Sequence, residues 1–254
     1  MDLRRIGQAG LAQVLLSEWL DASGDVTAPA LLPFFAVYRA LVRAKVAGIR
    51  WTQLLASTGE ARAALREVQT YLHLACQLAE LPPHQPSPRL IITHGLSGSG
   101  KTWASTRWLT AQAGGRAIRL RSDVERKRLH GLTALAASGS SLNAGLYSPQ
   151  AHGDTYASLL GRSRELLAQG WAVLVDAAFL RQRERQAFAQ LANEAQCPFH
   201  ILACEAPPDV LRKRILERQA RGGDASEASL AVLEQQLTWM EHLNPQERTC
   251  VLPQ

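Results

Sequence analysis

A chain of 254 residues is long enough for one large domain or two modest ones, and a content of 46% hydrophobic and 20% charged residues is typical of globular proteins. The formal net charge of +6 favours an anionic partner, although a bound nucleotide would explain part of it without a nucleic acid. The four cysteines have neither C-x-x-C nor metal-ligand spacing, which indicates free thiols in a reducing compartment. No apolar run approaches the ~18 residues of a membrane span, and no signal-peptide pattern is visible, so we expect a soluble, cytoplasmic protein.

Residues 1–81 predict a region made only of helices. Apolar side chains recur there at helical spacing in three segments, which short stretches rich in Gly, Pro, Ser and Asp separate. The basic side chains of this region are more typical of a solvated helix face than of an anion-binding one. The three apolar faces comprise Leu11, Val14, Leu15 and Trp19; Phe34, Val37, Tyr38, Leu41 and Val42; and Ala61, Ala64, Leu65, Val68, Tyr71, Leu72 and Ala75.

Four prolines within residues 82–88 mark the end of the helical region. Because proline fixes φ and has no backbone N–H, this segment can be neither helix nor central strand, and it favours an extended, semi-rigid spacer. The sequence therefore divides into a helical N-terminal region (1–81), a proline-rich linker (82–88) and a second domain (89–254).

A strand, a glycine-rich turn and the start of a helix follow the linker directly. The apolar run Leu90–Ile92 predicts a buried strand, and the sequence GLSGSGKT shortly after it matches G-x-x-x-x-G-K-[ST] at every fixed position. Such a loop turns backbone N–H groups toward phosphate oxygens, while Lys101 reaches the β- and γ-phosphates and the Thr102 hydroxyl binds Mg²⁺. The pattern predicts a site for the phosphates of ATP. The predicted nucleotide-binding residues are Gly95, Leu96, Ser97, Gly98, Ser99, Gly100, Lys101, Thr102 and Trp103.

Short apolar strands alternate with helices through the rest of the chain, which predicts an α/β fold with a parallel sheet covered on both faces. Further strands are predicted at 117–121, 171–176 and 199–204, and residues 250–252 could add a final short one. Ligands of such sheets bind at the carboxyl ends of the strands, where both the glycine-rich loop and Asp176 fall.

Two carboxylates at strand ends are candidates for chemistry. Asp123 precedes Arg126 by one helical turn, so the first could accept the proton of an attacking hydroxyl while the second orients substrate or phosphate. The alternative is a helix-capping aspartate beside a solvated arginine. Asp176 occupies the position of a Walker-B acid, which holds Mg²⁺ directly or through water, although an Asp at a strand end can also merely cap a turn.

Arginines crowd the predicted helix that begins at Pro208. Arg214, Arg218 and Arg221 follow at i, i+4 and i+7 and therefore share one face. A mobile segment that carried them over the phosphates would neutralise developing charge and exclude water. The alternative is an ordinary solvated basic face.

Two further patterns carry less weight. Arg181, Arg183 and Arg185 alternate with polar residues and indicate mostly surface. The triplet at 152–154, His-Gly-Asp, has the letters of the catalytic loop of aminoglycoside-type kinases, but Leu159 stands where such a loop has asparagine. We interpret this match as chance.

Residues 89–254 resemble the P-loop small-molecule and polynucleotide kinase group, which includes zeta toxins, gluconate kinases and chloramphenicol phosphotransferases. GLSGSGKT, the strand-end SDVER and the VLVDA strand carry the resemblance, and LRKRILERQARGGDAS resembles the lid of that group. The resemblance implies a P-loop NTPase three-layer sandwich with a five-stranded parallel sheet in the order 2-3-1-4-5. It also implies Asp123 as general base, Arg126 as substrate or phosphate contact and the Arg214/Arg218 region as lid.

The segment LLPFFAVYRALVRAKVAG in the helical region looks like the closing helices of an aminoglycoside-phosphotransferase-like domain. In some bacterial proteins such a domain precedes an ATP-binding kinase domain of this kind. This chain has neither a nucleotide lobe nor a usable catalytic loop of that type, so the helices would be a remnant or part of a truncated form, and no activity is carried over from them.

These features together predict an ATP- and Mg²⁺-dependent phosphotransferase that moves the γ-phosphoryl group to a hydroxyl of a small molecule. A nucleic-acid 5′-hydroxyl kinase would suit the basic charge, but the low aromatic content of 6% argues against a stacking platform for single strands. An ATP-binding regulatory module with little turnover is the third hypothesis. The predicted catalytic residues are Lys101, Asp123, Arg126, Arg214 and Arg218, and the predicted metal ligands are Thr102 and Asp176.

Overall fold

The computed structural model describes residues 1–55, 58–79, 88–111, 116–136, 146, 148–221 and 225–253. The predicted linker (82–88) lies outside the described residues except for Pro88. Before the first strand, the described residues form helices α1 (Asp2–Arg5), α2 (Ala9–Ser23), α3 (Leu32–Thr52) and α4 (Gly59–Ala79), with a 3-10 turn at Ala28–Ala30. The following elements are β1 (Leu90–His94), α5 (Lys101–Ala111), β2 (Ala117–Arg121), α6 (Ser122–Leu129), α7 (Pro149–Ala168), β3 (Ala172–Asp176), α8 (Gln182–Glu194), β4 (Phe199–Ala203), α9 (Pro208–Arg221), α10 (Leu230–Trp239) and α11 (Pro245–Thr249).

The strands form one parallel sheet in the order β2-β3-β1-β4, which confirms the predicted α/β class and the order of these four strands. The prediction of a fifth strand at 250–252 is wrong for the described residues. Val251 forms only an isolated parallel bridge with Ile201, in which Ile201 N donates to Cys250 O at 2.9 Å and Leu252 N donates to Ile201 O at 2.9 Å. The reason is that α11 ends at Thr249 and Pro253, which has no N–H, leaves too few residues to extend the ladder.

The core lies on both faces of this sheet, because alternate side chains of each strand point to opposite faces. Leu90 and Ile92 of β1 belong to the larger cluster, which α7 and α8 cover with side chains such as Leu159 and Phe188. Ile91 belongs to a second cluster on the other face, against which side chains of α5 pack. Each fully buried side chain of this kind contributes about 1.5–3 kcal/mol to stability. None of the described helices is long and apolar enough to cross a membrane.

Strand β2 forms one edge of the sheet, and helix α2 covers this edge. The Arg119 N–H of this edge strand donates to Ser17 Oγ at 3.0 Å, and the Arg119 guanidinium pairs with Glu18 Oε1 at 2.6 Å. At the other end of α2, a Cβ atom on Gly10 would lie 2.2 Å from the Thr110 carbonyl oxygen of α5, so α2 and α5 approach more closely than a side chain allows. Helix α2 is therefore packed directly against the domain that contains the glycine-rich loop.

The apolar faces that the sequence places on α2 and α3 lie largely at the surface. Leu15 is 63% exposed and Phe34 is 65% exposed, whereas the side chains that α2 buries include Gln13 and Ser17. Polar groups face inward on α2 because the edge of β2 presents backbone donors and acceptors that need polar partners. Helices α3 and α4 pack against each other through Ala40, Ala44, Tyr71, Leu74, Ala75 and Leu78.

Asp21, near the end of α2, lies close to the carboxyl end of the sheet. Its Oδ2 atom is buried and has no hydrogen-bond partner among the described residues. Burial raises the pKa of Asp21 to about 7, although the positive charges of Arg121 and Arg119 act in the opposite direction. In the unfolded chain this carboxyl group has the ordinary value of 3.8. Folding therefore takes up a proton between these two values, and stability falls as the pH rises through this window.

We expect Asp21→Asn to be more stable than the wild type at pH 8, because asparagine removes the ionised carboxylate that burial disfavours. The advantage should shrink as the pH falls below about 7 and disappear near the ordinary value of 3.8. Urea midpoints of both proteins at pH 8 and pH 5 measure this difference. Asp209→Asn, at an exposed position of α9, serves as the control. An equal gain at both pH values would contradict the expectation.

Candidate nucleotide-binding site

The glycine-rich loop connects β1 to α5 and is packed from two sides. Gly95 has a φ of +153°, and a Cβ atom there would lie 2.2 Å from the carbonyl oxygen of Cys204, just after β4. Gly98 has a φ of +83°, and its Cβ atom would lie 2.8 Å from the Leu211 carbonyl oxygen of α9. Both positions therefore require glycine, since any side chain would strain the backbone and collide with neighbouring main chain. The loop conformation is fixed by the fold before any ligand binds.

Lys101 is held at the centre of this loop. Its Nζ atom donates to Gly95 O at 2.9 Å and to Leu96 O at 2.7 Å. Burial lowers the pKa of Lys101, and the nearby carboxylates of Asp176 and Asp123 act to raise it. The ammonium group is thus oriented by backbone carbonyls, in the place where a P-loop lysine meets the β- and γ-phosphates.

Side chains from α9 and α10 also reach the loop. Ser97 N donates to Gln236 Oε1 at 2.8 Å, and Arg214 Nη1 donates to Gly98 O at 3.3 Å. Gln236 is buried, whereas Arg214 is exposed. The segment after β4 therefore forms one wall of the site.

One cavity of about 1170 Å³ lies above the carboxyl ends of the strands and contains most of the predicted site. Its size exceeds the roughly 300–1,000 Å³ of a typical small-molecule pocket, so it has room for a nucleotide and a second compound. Of the predicted nucleotide-binding residues, Gly95 and Leu96 do not line it, because they form the base of the loop. The predicted residues that do line it are Ser97, Gly98, Ser99, Gly100, Lys101, Thr102, Trp103, Asp123, Arg126, Asp176, Arg214 and Arg218.

Asp176 lies at the end of β3 and is 6% exposed. Its Oδ2 atom accepts a hydrogen bond from Ser105 Oγ at 3.1 Å, and Ser105 follows Thr102 by one turn of α5. Behind them, Arg119 Nη1 lies 3.3 Å from Ser105 Oγ and 2.6 Å from Thr106 Oγ1. These contacts hold the Asp176 carboxylate beside the start of α5. No group of three His, Cys, Asp or Glu side chains suited to a metal occurs in the described part of the chain.

Asp123 and Arg126 form an ion pair at the start of α6. Arg126 Nη1 lies 3.1 Å from Asp123 Oδ1, and both residues line the cavity. Burial acts to raise the pKa of Asp123, but Arg126 and a hydrogen bond from Ser226 outweigh it and hold the pKa below its usual value. Asp123 is therefore ionised near neutral pH and can accept a proton, though only as a weak base.

The arginines of α9 divide into two groups. Arg218 is half-buried and donates to Ala228 O at 2.8 Å, and with Arg214 and Arg221 it lines the cavity. Arg212 pairs with Glu234 on the outside of the fold, at 2.9 Å. The helix thus turns one basic face toward the glycine-rich loop and the other toward solvent.

Sequence patterns missed several residues of this cavity. The expectation that Arg181 and Arg185 belong mostly to the surface is wrong: Arg181 lines the cavity, and Arg185 is 1% exposed and pairs with Glu247 at 2.8 Å. His152 also lines it and lies 2.7 Å from Glu184 Oε1. The partners of Arg185 and His152 lie far away in the sequence, so no local sequence pattern predicts these contacts. One sequence signal could have placed Arg181 in the cavity: it follows a predicted parallel strand, and ligands of such sheets bind at the carboxyl ends of the strands.

The fold and the loop together define a P-loop nucleotide-binding domain. Residues 90–243 match the family described as "AAA domain", and the chain belongs to this family. Because the match begins at residue 90, the resemblance of the first helices to the end of an aminoglycoside-phosphotransferase-like domain stays a prediction.

The chain is also similar to individual proteins. It is 29% identical over 255 residues to the uncharacterized protein Rv2004c of Mycobacterium tuberculosis strain H37Rv and to the uncharacterized protein Mb2027c of Mycobacterium bovis. These matches cover 98% of this chain and 49% of each relative, so the chain spans about half the length of the curated relatives it matches.

Solved structures with a similar fold include nucleotide complexes. Kti12 of Chaetomium thermophilum with ADP-AlF3 has a TM-score of 0.47 and 19% identity, with coverage of 64% of this chain and 88% of that one. The APS kinase CysC of Mycobacterium tuberculosis with AMPPNP and APS has a TM-score of 0.41 and 22% identity, with coverage of 54% and 76%.

Replacement of Lys101 by alanine should weaken ATP binding by ~10–100-fold, the usual worth of a hydrogen bond to a charged group. The fold should persist, because the hydrogen bonds of its ammonium group to the described residues both go to its own loop, and the side chain belongs to no apolar core cluster. Calorimetric titration with ATP and a thermal melt of the same preparation check both expectations. Lys213→Ala, an exposed lysine of α9, is the matched control. Unchanged ATP affinity in Lys101→Ala would overturn the assignment of the loop.

Proposed function

We propose that the protein is an ATP- and Mg²⁺-dependent phosphotransferase that moves the γ-phosphoryl group of ATP to a hydroxyl of a small molecule. The observation that carries this proposal is that Lys101, Asp123 and Asp176, which come from three different strand ends, line one cavity. A protein that only binds a nucleotide needs Lys101 of these three residues. A carboxylate placed for proton transfer is needed only if a hydroxyl attacks.

Thr102 and Asp176 would hold Mg²⁺ in this proposal. A hydroxyl and a carboxylate are the hard oxygen ligands that Mg²⁺ takes, and it usually keeps several waters and substrate phosphate oxygens besides one or two protein groups. The described residues fit this pattern, since Ser105 holds the Asp176 carboxylate beside the start of α5, where Thr102 lies. An ion held by Thr102 and Asp176 would supply positive charge against the phosphates of the nucleotide.

Asp123 would accept the proton of the attacking hydroxyl, and Arg126 would orient the acceptor or the transferred phosphoryl group. The ion pair between them lowers the basicity of Asp123. A loose, dissociative transition state places little demand on a base, because the hydroxyl loses its proton late. A weakly basic but well-placed carboxylate is therefore sufficient for this reaction.

Arg214 and Arg218 would supply positive charge at the γ-phosphoryl group. Arg214 already contacts the glycine-rich loop at Gly98, and Arg218 lines the same cavity. Guanidinium groups fixed close to the phosphates stabilise the charge of the transition state without the reorganisation that water would need. Helix α9 acts as the lid in this proposal.

A nucleic-acid 5′-hydroxyl kinase remains the second candidate, and the location of the basic charge argues against it. The cavity is lined by eight of the chain's 28 Lys and Arg residues but by only three of its 22 Asp and Glu residues. Most of the formal net charge of +6 is thus accounted for within the cavity. Long single strands need a charged surface that tracks a backbone, with aromatic platforms for successive bases. The concentration of basic side chains in one cavity favours a small anionic ligand over a long nucleic-acid strand.

Asp176→Asn should shift the Mg²⁺ midpoint for nucleotide binding to higher concentration while metal-free nucleotide affinity changes little. The amide keeps the size of the side chain and its hydrogen bond to Ser105, but it removes the negative charge that attracts the ion. Magnesium titrations at fixed nucleotide concentration measure the midpoint. Ser105→Ala keeps the carboxylate and should have the smaller effect. Equal midpoints in the wild type and in Asp176→Asn would argue against the metal role.

Asp123→Asn separates a transferase from a regulatory nucleotide-binding module. ATP should still bind, because the phosphate cradle belongs to another loop. Phosphoryl transfer should fall by ~10²–10⁴, with the lower end favoured by a loose transition state. If Asp123 only caps α6, asparagine serves about equally well. The acceptor is found first by screening metabolites and oligonucleotides for ATP-dependent phosphorylation. Single-turnover rates at saturating ATP then compare the two proteins, and a drop below about threefold would show a structural role.

A further inference from the structure

The order of the strands gives the cavity two ends. The glycine-rich loop follows β1, which lies between β3 on one side and β4 on the other. Residues directly after β2 and β3 therefore line one end, and residues directly after β4 line the opposite end, whereas Trp239 at the end of α10 lies against Arg181 at the first end. Asp123 belongs to the first of these, so an attacking hydroxyl must come from there. We call it the acceptor end; Arg121, Asp123, Arg126, His152, Arg181 and Trp239 line it.

The charges of the acceptor end do not cancel. Among the residues that line it, Arg121, Arg126 and Arg181 are basic and Asp123 is acidic. Behind this lining, Arg121 also faces the buried carboxyl group of Asp21 and lies next to Asp176 across the strands. Glu184, close to this end, is 8% exposed and lies against His152 at 2.7 Å. Among the residues that line the acceptor end, three guanidinium groups therefore face one carboxylate.

Arg181 is the most informative of these groups, because an aromatic ring, and not an ion pair, holds its guanidinium group. Its guanidinium carbon lies 4.6 Å from the ring centre of Trp239, so the two planar groups are in contact. Arg181 forms no ion pair with any of the described residues, and the nearby Glu241 accepts a hydrogen bond from Gln182 N instead. A half-buried guanidinium held by an aromatic ring keeps its N–H donors available for a ligand.

Arg181 also immediately precedes the first turn of α8. The backbone N–H groups at this end of α8 are already occupied, since Arg181 N donates to Glu184 Oε2 at 3.5 Å and Gln182 N donates to Glu241 Oε2. The guanidinium group of Arg181, and not the helix end, is therefore the group that can receive an anion. A guanidinium matches the geometry of phosphate, sulfate and carboxylate, which it can bind with two parallel hydrogen bonds.

We infer that the acceptor is a small hydroxyl compound with an oxyanion group, which Arg181 and Arg126 bind at the acceptor end. This inference rests on the proposed function, since it names the class of compound that receives the phosphoryl group. The oxyanion group anchors the acceptor, and the distance between this anchor and Asp123 selects which hydroxyl faces the γ-phosphate. Phosphate, sulfate and carboxylate share this chemistry.

The test uses matched pairs of acceptors that differ only in the anionic group, such as sugar phosphates and sugar acids against the corresponding neutral sugars. The wild type should phosphorylate members of the anionic set and leave the neutral counterparts unchanged. With an anionic acceptor, Arg181→Gln should raise the acceptor KM by ~10–100-fold, as expected for lost hydrogen bonds to a charged group. The KM for ATP should stay the same. The acceptor KM of Arg181→Lys should lie between those of the wild type and Arg181→Gln, because lysine keeps the charge but loses the fork geometry of the guanidinium group.

The matched control is Arg183→Gln, which removes an exposed arginine two positions further on. It should behave as the wild type in every assay, and thermal melts should show that all variants fold. Efficient transfer to neutral sugars, or an acceptor KM that Arg181→Gln does not change, would overturn this inference and leave the proposed function standing.

A binding measurement separates the two proposals when transfer is absent. Calorimetry with inorganic sulfate, at constant ionic strength and with a non-hydrolysable ATP analogue in the nucleotide site, needs no turnover. Sulfate binding should be lost in Arg181→Gln and kept in Arg183→Gln. Equal binding in all three proteins would overturn the oxyanion site. Failure of transfer to every acceptor, with sulfate binding still dependent on Arg181, would overturn the proposed function and not the oxyanion site.

Discussion

The site depends on the hydrogen bonds that fasten the end of β1 to the segment after β3. Thr93 Oγ1 donates to Ala177 O at 2.6 Å and accepts from Ala177 N at 3.0 Å, while Gly95 N donates to Ala178 O at 3.1 Å. These bonds are buried, where an unmade hydrogen bond costs about 1–3 kcal/mol. They set the start of the glycine-rich loop against the residues that follow Asp176. The glycine-rich loop and the Asp176 carboxylate are therefore held together at the carboxyl ends of the strands, and neither can move along the sheet without the other.

A second link joins the N-terminal helices to the same edge. Arg119 is 2% exposed in the edge strand, and its guanidinium reaches Glu18 on α2 and the hydroxyls of Ser105 and Thr106 on α5. Since Glu18 is half exposed, the ion pair itself contributes little, and the two hydroxyls accept from the buried Nη1 group of Arg119, whereas its Nε atom has no partner among the described residues. The consequence is structural: a charge in the middle of a strand orients Ser105, and Ser105 orients Asp176. Helix α2 thus supports the site without contacting a ligand.

The basic composition of the chain acquires a specific meaning once the fold is known. A net positive charge can keep a protein soluble, attract a nucleic acid or attract a small anionic ligand, and composition alone does not distinguish these roles. Here the arginines from the ends of β2, β3 and β4 converge on one cavity with few carboxylates. Concentrated charge of this kind raises the local concentration of an anionic ligand and orients it. Among these arginines, Arg181 is held by contact with the ring of Trp239.

Sequence by itself determined the α/β class and the position of the phosphate loop, because these depend on local patterns: apolar runs, glycine spacing and strand–helix alternation. The order of the four strands came only from the resemblance to a known kinase group, which also implied a fifth strand. The local patterns also placed Asp123 and Asp176 at strand ends, which parallel topology brings together, and Arg126 one helical turn after Asp123. Tertiary structure alone decided that α2 buries its polar side against β2, that residues 250–252 form only a bridge, and that Arg181 and His152 line the cavity. Each of these depends on contacts between residues far apart in the chain, and a periodic pattern contains no information about which distant partner an exposed edge or a charged side chain will meet.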